Sequence, residues 1–136
     1  MSNLVRLGLA ARNARATAIR DLLDAGSGPG KLLCYAGTVP ATGAAITTQT
    51  LLGTATLSDP CGTVSAGTLT FSAITGDSSA DATGTVTFVR ALDSANNFVA
   101  DLDAGVTGSG QAVIFNSTSI ITGGAINVLS AQIVEA

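Results

Sequence analysis

The sequence predicts a mainly β fold: an antiparallel two-sheet sandwich, of jelly-roll or immunoglobulin-like topology, preceded by one N-terminal α-helix. Three observations predict it. After residue 30, apolar side chains alternate with Thr, Ser and other polar residues over short runs, the pattern of half-buried strands. Turn signals rich in Gly, Pro and Asn separate these runs at short, fairly even spacing. Before residue 26 the composition shifts to Ala, Leu and Arg, all strong helix formers. At 136 residues the chain is expected to form one folding unit. It divides into a basic arm and helix at 1–25, a Gly/Pro/Ser linker at 26–30 and a β-domain at 31–136.

The helix is expected over 9–25, LAARNARATAIRDLLDA, after an arm at 1–8 that is extended or already turning. Ala11, Ala14, Ala18 and Leu22 fall on one stripe, with Ile19 beside it, and Gly26 is placed to end the helix. A stripe made mostly of Ala permits close approach but buries little apolar area. The helix charges oppose its own dipole, with Arg12 and Arg15 early and Asp21 and Asp24 late. Contacts with partner subunits are one way to hold charges so placed. The linker Ser27-Gly28-Pro29-Gly30 lets the helix fold back or swing to a neighbour.

Strands are expected at 31–36 (KLLCYA), 49–57 (QTLLGTATL) and 68–73 (TLTFSA). Between them lie a Pro/Gly loop at 37–45 and the turn Ser58-Asp59-Pro60-Cys61-Gly62. The stretch 83–103 is the organising hairpin. Val86, Phe88 and Leu92 share the parity read as inward, the chain turns at Ser94-Ala95-Asn96-Asn97, and Phe98, Ala100 and Leu102 repeat the pattern. Asn suits such a turn because it tolerates positive φ. A polar loop at 76–82 precedes the hairpin, and a Gly-rich turn at 105–110 follows it. Next comes a short strand at 112–116, a turn at 117–124, and a last strand at 125–134. The apolar phase of that strand slips, which a bulge near Val128–Ser130 explains.

Charge is sparse, at 11% of residues, while 46% are hydrophobic. So weakly charged a surface gives poor protection against association, which points to a subunit covered by copies of itself or by other proteins. The first twenty residues carry +4 from Arg6, Arg12, Arg15 and Arg20; the remainder carries −7. Such asymmetry suits an arm that docks on an acidic partner. Four arginines without aromatic stacking residues are a weak nucleic-acid signal in an acidic chain, so nucleic acid is not an expected partner. No run approaches a membrane-spanning length, and no signal peptide is expected.

Chemistry-bearing patterns are scarce. There is no His, so Ser-His-Asp and Cys-His mechanisms are unavailable, and the usual zinc ligand is missing. GSGPG lacks a phosphate loop's closing residues and precedes a strand rather than a helix. Asp93, Asp101 and Asp103 can form a solvated face, hold a cation or pair with Arg90; Asp77 and Asp81 read as solvated loop acids. Arg90 has the parity of Val86 and Phe88, so it either snorkels at the strand rim or is paired at a subunit contact. Cys34 reads as a buried thiol and Cys61 as a turn residue, with a bridge between them left open. No enzyme activity, cofactor or metal is expected.

Tyr35, Gly37, Thr38, Pro40 and Ala41 form one motif, and Thr50-Leu51-Leu52 a second. Gly84, Thr85, Phe88, Arg90, Leu92, Asp93 and Ser94 form a third. Together with the preceding Ala/Arg helix, these elements resemble small virion structural proteins of tailed bacteriophages, over most of the chain. The resemblance implies a non-enzymatic component present in many copies on a particle, assembled in the host cytoplasm. The expected role is a capsid decoration or cement protein, with a tail, fibre or head–tail connector module as the alternative. Expected partners are copies of itself and major capsid or other virion proteins, with no small-molecule substrate and no membrane. The subunit contacts are expected at Arg6, Arg12, Arg15, Arg20 and Arg90.

Overall fold

The computed structural model of the chain describes residues 6–134; the first five positions of the expected arm lie outside it. It is mainly β with one α-helix among the described residues. Helix α1 (Leu9–Leu23) is followed by β1 (Lys31–Ala36), β2 (Thr50–Thr56), β3 (Gly62–Ser65) and β4 (Thr68–Phe71). Then come β5 (Gly84–Thr85), β6 (Phe88–Leu92), β7 (Phe98–Val106), β8 (Val113–Phe115), β9 (Ser119–Ile120) and β10 (Val128–Val134).

Hydrogen bonding joins eight strands into one sheet, in the order β2-β1-β6-β7-β8-β10-β4-β3, and β5 and β9 pair as a separate ribbon. This departs from the expected pair of antiparallel sheets. The main sheet is mixed, because β7 and β8 run parallel, with Ala104 beside Val113 and Val106 beside Phe115. Parallel neighbours normally need a crossover of about a dozen residues or more. Here residues 107–112 suffice, because the loop folds back over Gly105. A Cβ at Gly105 would lie 2.3 Å from Ser109 Oγ and 2.7 Å from Gln111 Cγ. Asp103 Oδ1 then accepts the Ala112 N–H at 2.7 Å, which aims the returning strand.

The sheet curls. Thr56 at the end of β2 pairs with Thr75, four residues beyond β4, and Asp77 pairs with Ile126 just before β10. The segment 75–81 also covers the β2 edge: Asp77 Oδ2 accepts the Thr54 N–H at 3.0 Å, and the Asp81 N–H donates to Leu52 O at 2.7 Å. Asp77 is therefore an edge cover rather than a solvated loop acid, and covering an edge prevents unwanted strand pairing.

Inside the curl lies one core, containing Leu32, Cys34, Leu52, Leu69, Val89, Ala91, Val113, Phe115 and Ile126. The inward residues of β6 are thus Val89 and Ala91, the opposite parity to that expected. Phe88, Arg90 and Leu92 point to the other face of the sheet. All five residues of β6 are buried, so both faces of this strand are covered. A register shift between Ala91 and Leu92 leaves Val99 as an extra residue in β7. The expected slip in the last strand is present as a shift between Val128 and Ser130.

Helix α1 packs on β3, β4 and β7 of its own chain. Its buried stripe is Ala16, Ile19 and Leu23, in line with half-buried Arg12, and not the expected Ala11, Ala14, Ala18 and Leu22. Leu22 is 57% exposed. Two polar ties fix the docking: Asn13 Oδ1 accepts the Gly67 N–H at 2.7 Å, and Asp24 Oδ1 accepts the Cys61 N–H at 2.8 Å. Asp24, unfavourable at this end of the helix dipole, is thereby held within the chain, without a partner subunit. Gly26 (φ 97°) redirects the chain where a Cβ would strike Ser94 Oγ, whose hydroxyl donates to Ala25 O at 3.1 Å.

Candidate interaction surfaces

Tyr35 of the first sequence motif meets Phe88 and Arg90 of the third on the outer face of β1, β6 and β7, while Gly84 and Thr85 of the third lie apart on the β5–β9 ribbon. Register places Tyr35 opposite Phe88 and Leu33 opposite Arg90 on one side, and Arg90 opposite Asp101 on the other. Tyr35 and Phe88 stack, with ring centroids 5.3 Å apart at 14°. Arg90 then fills the space beside them. Its Nε donates to Asp101 Oδ1 at 2.8 Å and its Nη2 to Asp101 Oδ2 at 3.0 Å, a two-pronged pair. Its Nη1 donates to Ala44 O at 2.9 Å, and its Cζ lies 4.9 Å from the centre of the Phe98 ring.

Arg90 therefore does not snorkel to a rim. It is 7% exposed, and its charge is matched by Asp101 on the facing strand. Hydrogen bonding to Asp101 is the main reason the guanidinium binds its proton still more tightly than usual, against the opposing effect of burial. Burial likewise raises the Tyr35 phenol above its ordinary range, with the Arg90 charge partly countering it.

At the end of this hairpin, Asp93 organises the turn. Its Oδ1 accepts the N–H groups of Ala95 and Asn97, both at 2.9 Å, and its Oδ2 accepts Asn97 Nδ2 at 2.9 Å. Asn96 takes the positive φ, 68°, that the Asn-rich turn predicts. The bonds from Asn97 hold the Asp93 carboxyl below the ordinary carboxylate range. Asp93, Asp101 and Asp103 thus serve three different partners. Among the described residues, no group of three His, Cys, Asp or Glu side chains is placed to hold a metal ion. No helix among them is long and apolar enough to cross a membrane.

The other arginines do not gather with Arg90. Arg6 and Arg15 are exposed, Arg12 lies on the buried stripe of α1, and Arg20 bonds to Asp21 Oδ1 at 3.1 Å. The Nε of Arg12 is buried without a hydrogen-bond partner. Spacing alone could not separate these roles. The Arg90 pair, by contrast, is reachable from sequence by counting outward from the Asn turn, provided the extra residue at Val99 is allowed for.

Both cysteines are free and buried. Burial is the main cause that pushes each thiol up to about 12, with nearby Asp77 adding to it at Cys34 and Asp24 at Cys61. Neither is a nucleophile at neutral pH. Large apolar side chains nevertheless stand in solvent: Ile121 is 68% exposed, Val134 62%, Leu129 57% and Leu9 50%. Set against families of known proteins, characterised proteins and solved structures, the chain has no match.

Proposed function

We propose that this chain is a virion structural protein of a tailed bacteriophage, acting as a capsid decoration or cement subunit. The observation that carries the reading is the surface: Ile121, Val134, Leu129, Leu22 and Leu9 are all at least half exposed on a chain in which 11% of residues are charged. Apolar groups in that setting gain free energy when a neighbour removes them from water, at about 25 cal/mol per Å². Many such modest contacts, repeated around a shell, hold it together without any one being strong. The resemblance in the motifs at Tyr35–Ala41 and Gly84–Ser94 supports the same reading.

Within this reading, the curled sheet serves as two facing layers of a sandwich, β2-β1-β6-β7 against β8-β10-β4-β3, whose inward side chains form the shared core. The contact role assigned to the arginines then rests on exposed Arg6 and Arg15 and on half-buried Arg20, since Arg12 lies on the buried stripe of α1 and Arg90 is buried against Asp101. Quantitative mass spectrometry of purified particles tests the proposal. Cement subunits are present in copy numbers comparable to the major shell protein. Absence of the chain defeats the proposal, and a few copies per particle transfers it to a tail, fibre or connector position.

A further inference from the structure

Residues 37–49, GTVPATGAAITTQ, cross the outer face of the sheet as a strap without a single charged side chain. Its base is clasped: Gln49 Nε2 donates to Thr38 O, and Thr87 Oγ1 donates to Gly37 O at 2.6 Å. Gly37 and Gly43 have φ of 113° and 71°, so the chain bends where side chains other than Gly are disfavoured. Between residues 39 and 46 the strap is tied to the sheet by one hydrogen bond among the described residues, from Arg90 Nη1 to Ala44 O. The other bond in this stretch, from the Ala44 N–H to Ala41 O at 2.8 Å, is internal to it. No apolar residue of the strap belongs to the core; Val39 is 47% exposed. Gly43 rests near the Phe98 ring, and Val39, Pro40 and Thr42 face Phe98, Val99, Ala100 and Asp101 across an open groove.

We infer that the strap is a hinged cover latched by Arg90, which opens about its Thr38–Gln49 clasp while the sheet beneath stays folded. The same guanidinium that neutralises Asp101 holds the strap, so one side chain couples the two. Opening breaks a single bond to the sheet and uncovers the Arg90–Asp101 pair and the remainder of Phe98, which is 36% exposed beneath the closed strap. Local opening of this sort is expected where few apolar contacts hold a segment down. The inference is independent of the proposed virion role.

Nitrogen-15 relaxation-dispersion NMR, which senses a segment moving as a unit, tests it. In the unaltered chain, the Val39, Thr42, Ala44 and Ile46 amides share one exchange process that the Leu32 and Val89 amides of the core strands lack. Flat profiles along the strap, or the same process in the core strands, overturn the inference. In Arg90→Lys, whose one ammonium cannot grip Asp101 with two prongs and also reach Ala44 O, the open population of the strap rises about tenfold or more. A change shared equally by the core strands, the sign of general destabilisation alone, counts against a latch, as does no rise at all. If the variant fails to fold, the profiles of the unaltered chain decide.

Discussion

Arg90 and Asp101 face each other across β6 and β7 and bind through two parallel hydrogen bonds of 2.8 and 3.0 Å, with side chains 9% and 10% exposed. The pair sits on the outer side of the sheet, beside the Tyr35–Phe88 stack, and organises a second layer apart from the main core. Removing one partner leaves the other charge buried and unmatched. Arg90→Ala is therefore expected to cost about 3–5 kcal/mol in a denaturant titration. Asp101→Ala is expected to cost a similar amount, and the double variant less than the two together. A change below about 1 kcal/mol for Arg90→Ala is the outcome for a solvated surface pair.

Gly105 makes the short parallel connection between β7 and β8 possible. Gly105→Ala places a methyl group against Ser109 Oγ and Gln111 Cγ, so the loop must lift. The expected loss is about 1–3 kcal/mol, the range for overpacking. Ser109→Gly in the same chain is expected to restore part of it, because the closest obstructing atom is gone. Thermal melts of the two single variants and the double variant measure the coupling; strict additivity contradicts this account of the loop.

The thiols of Cys34 and Cys61 are buried, free and raised to about 12. At pH 8, an aromatic disulfide reagent is expected to modify neither in the folded chain and both in denaturant. Reaction of either in the folded chain at the rate of a free thiol contradicts the burial shown here.

Asp93 gives the hairpin turn a pH dependence of fixed sign. Its folded carboxyl titrates below the unfolded value of about 3.9, so the unfolded chain takes up the proton first. The stabilisation is complete above about pH 4 and is lost as pH falls through the folded value. Asp93→Asn is expected to flatten this part of the acid limb in urea titrations between about pH 2 and pH 5, leaving the slope at neutral pH unchanged.

Much of the fold was legible in the sequence, and the failures have physical causes. Helix α1, strands β1, β2 and β4, the Asn turn and the slip in β10 all follow from local pattern. The face of β6 does not, because a strand buried on both sides carries no alternation that marks the core. Nothing in the sequence announced the strap that covers that second face. The helix stripe is not fixed by the sequence, because an Ala-rich helix offers several equivalent stripes, and the one it buries contains Arg12. Strand β3, four residues of Gly, Thr, Val and Ser after a turn, has too little apolar content to register. The parallel pairing of β7 and β8 depends on room beside Gly105, a tertiary fact. The parity of Arg90 marks it as unusual within its strand, but its pairing with Asp101 is only one of several arrangements the sequence allows.

The central claim is that this chain works as a repeated structural subunit. Electron cryomicroscopy of native particles tests it most directly. The account predicts symmetry-related densities that fit the curled eight-stranded sheet, with α1 packed on its own β3 and β4 and the exposed Ile121, Leu129 or Val134 against a neighbour. A particle map, complete to side chains, with no such density contradicts it.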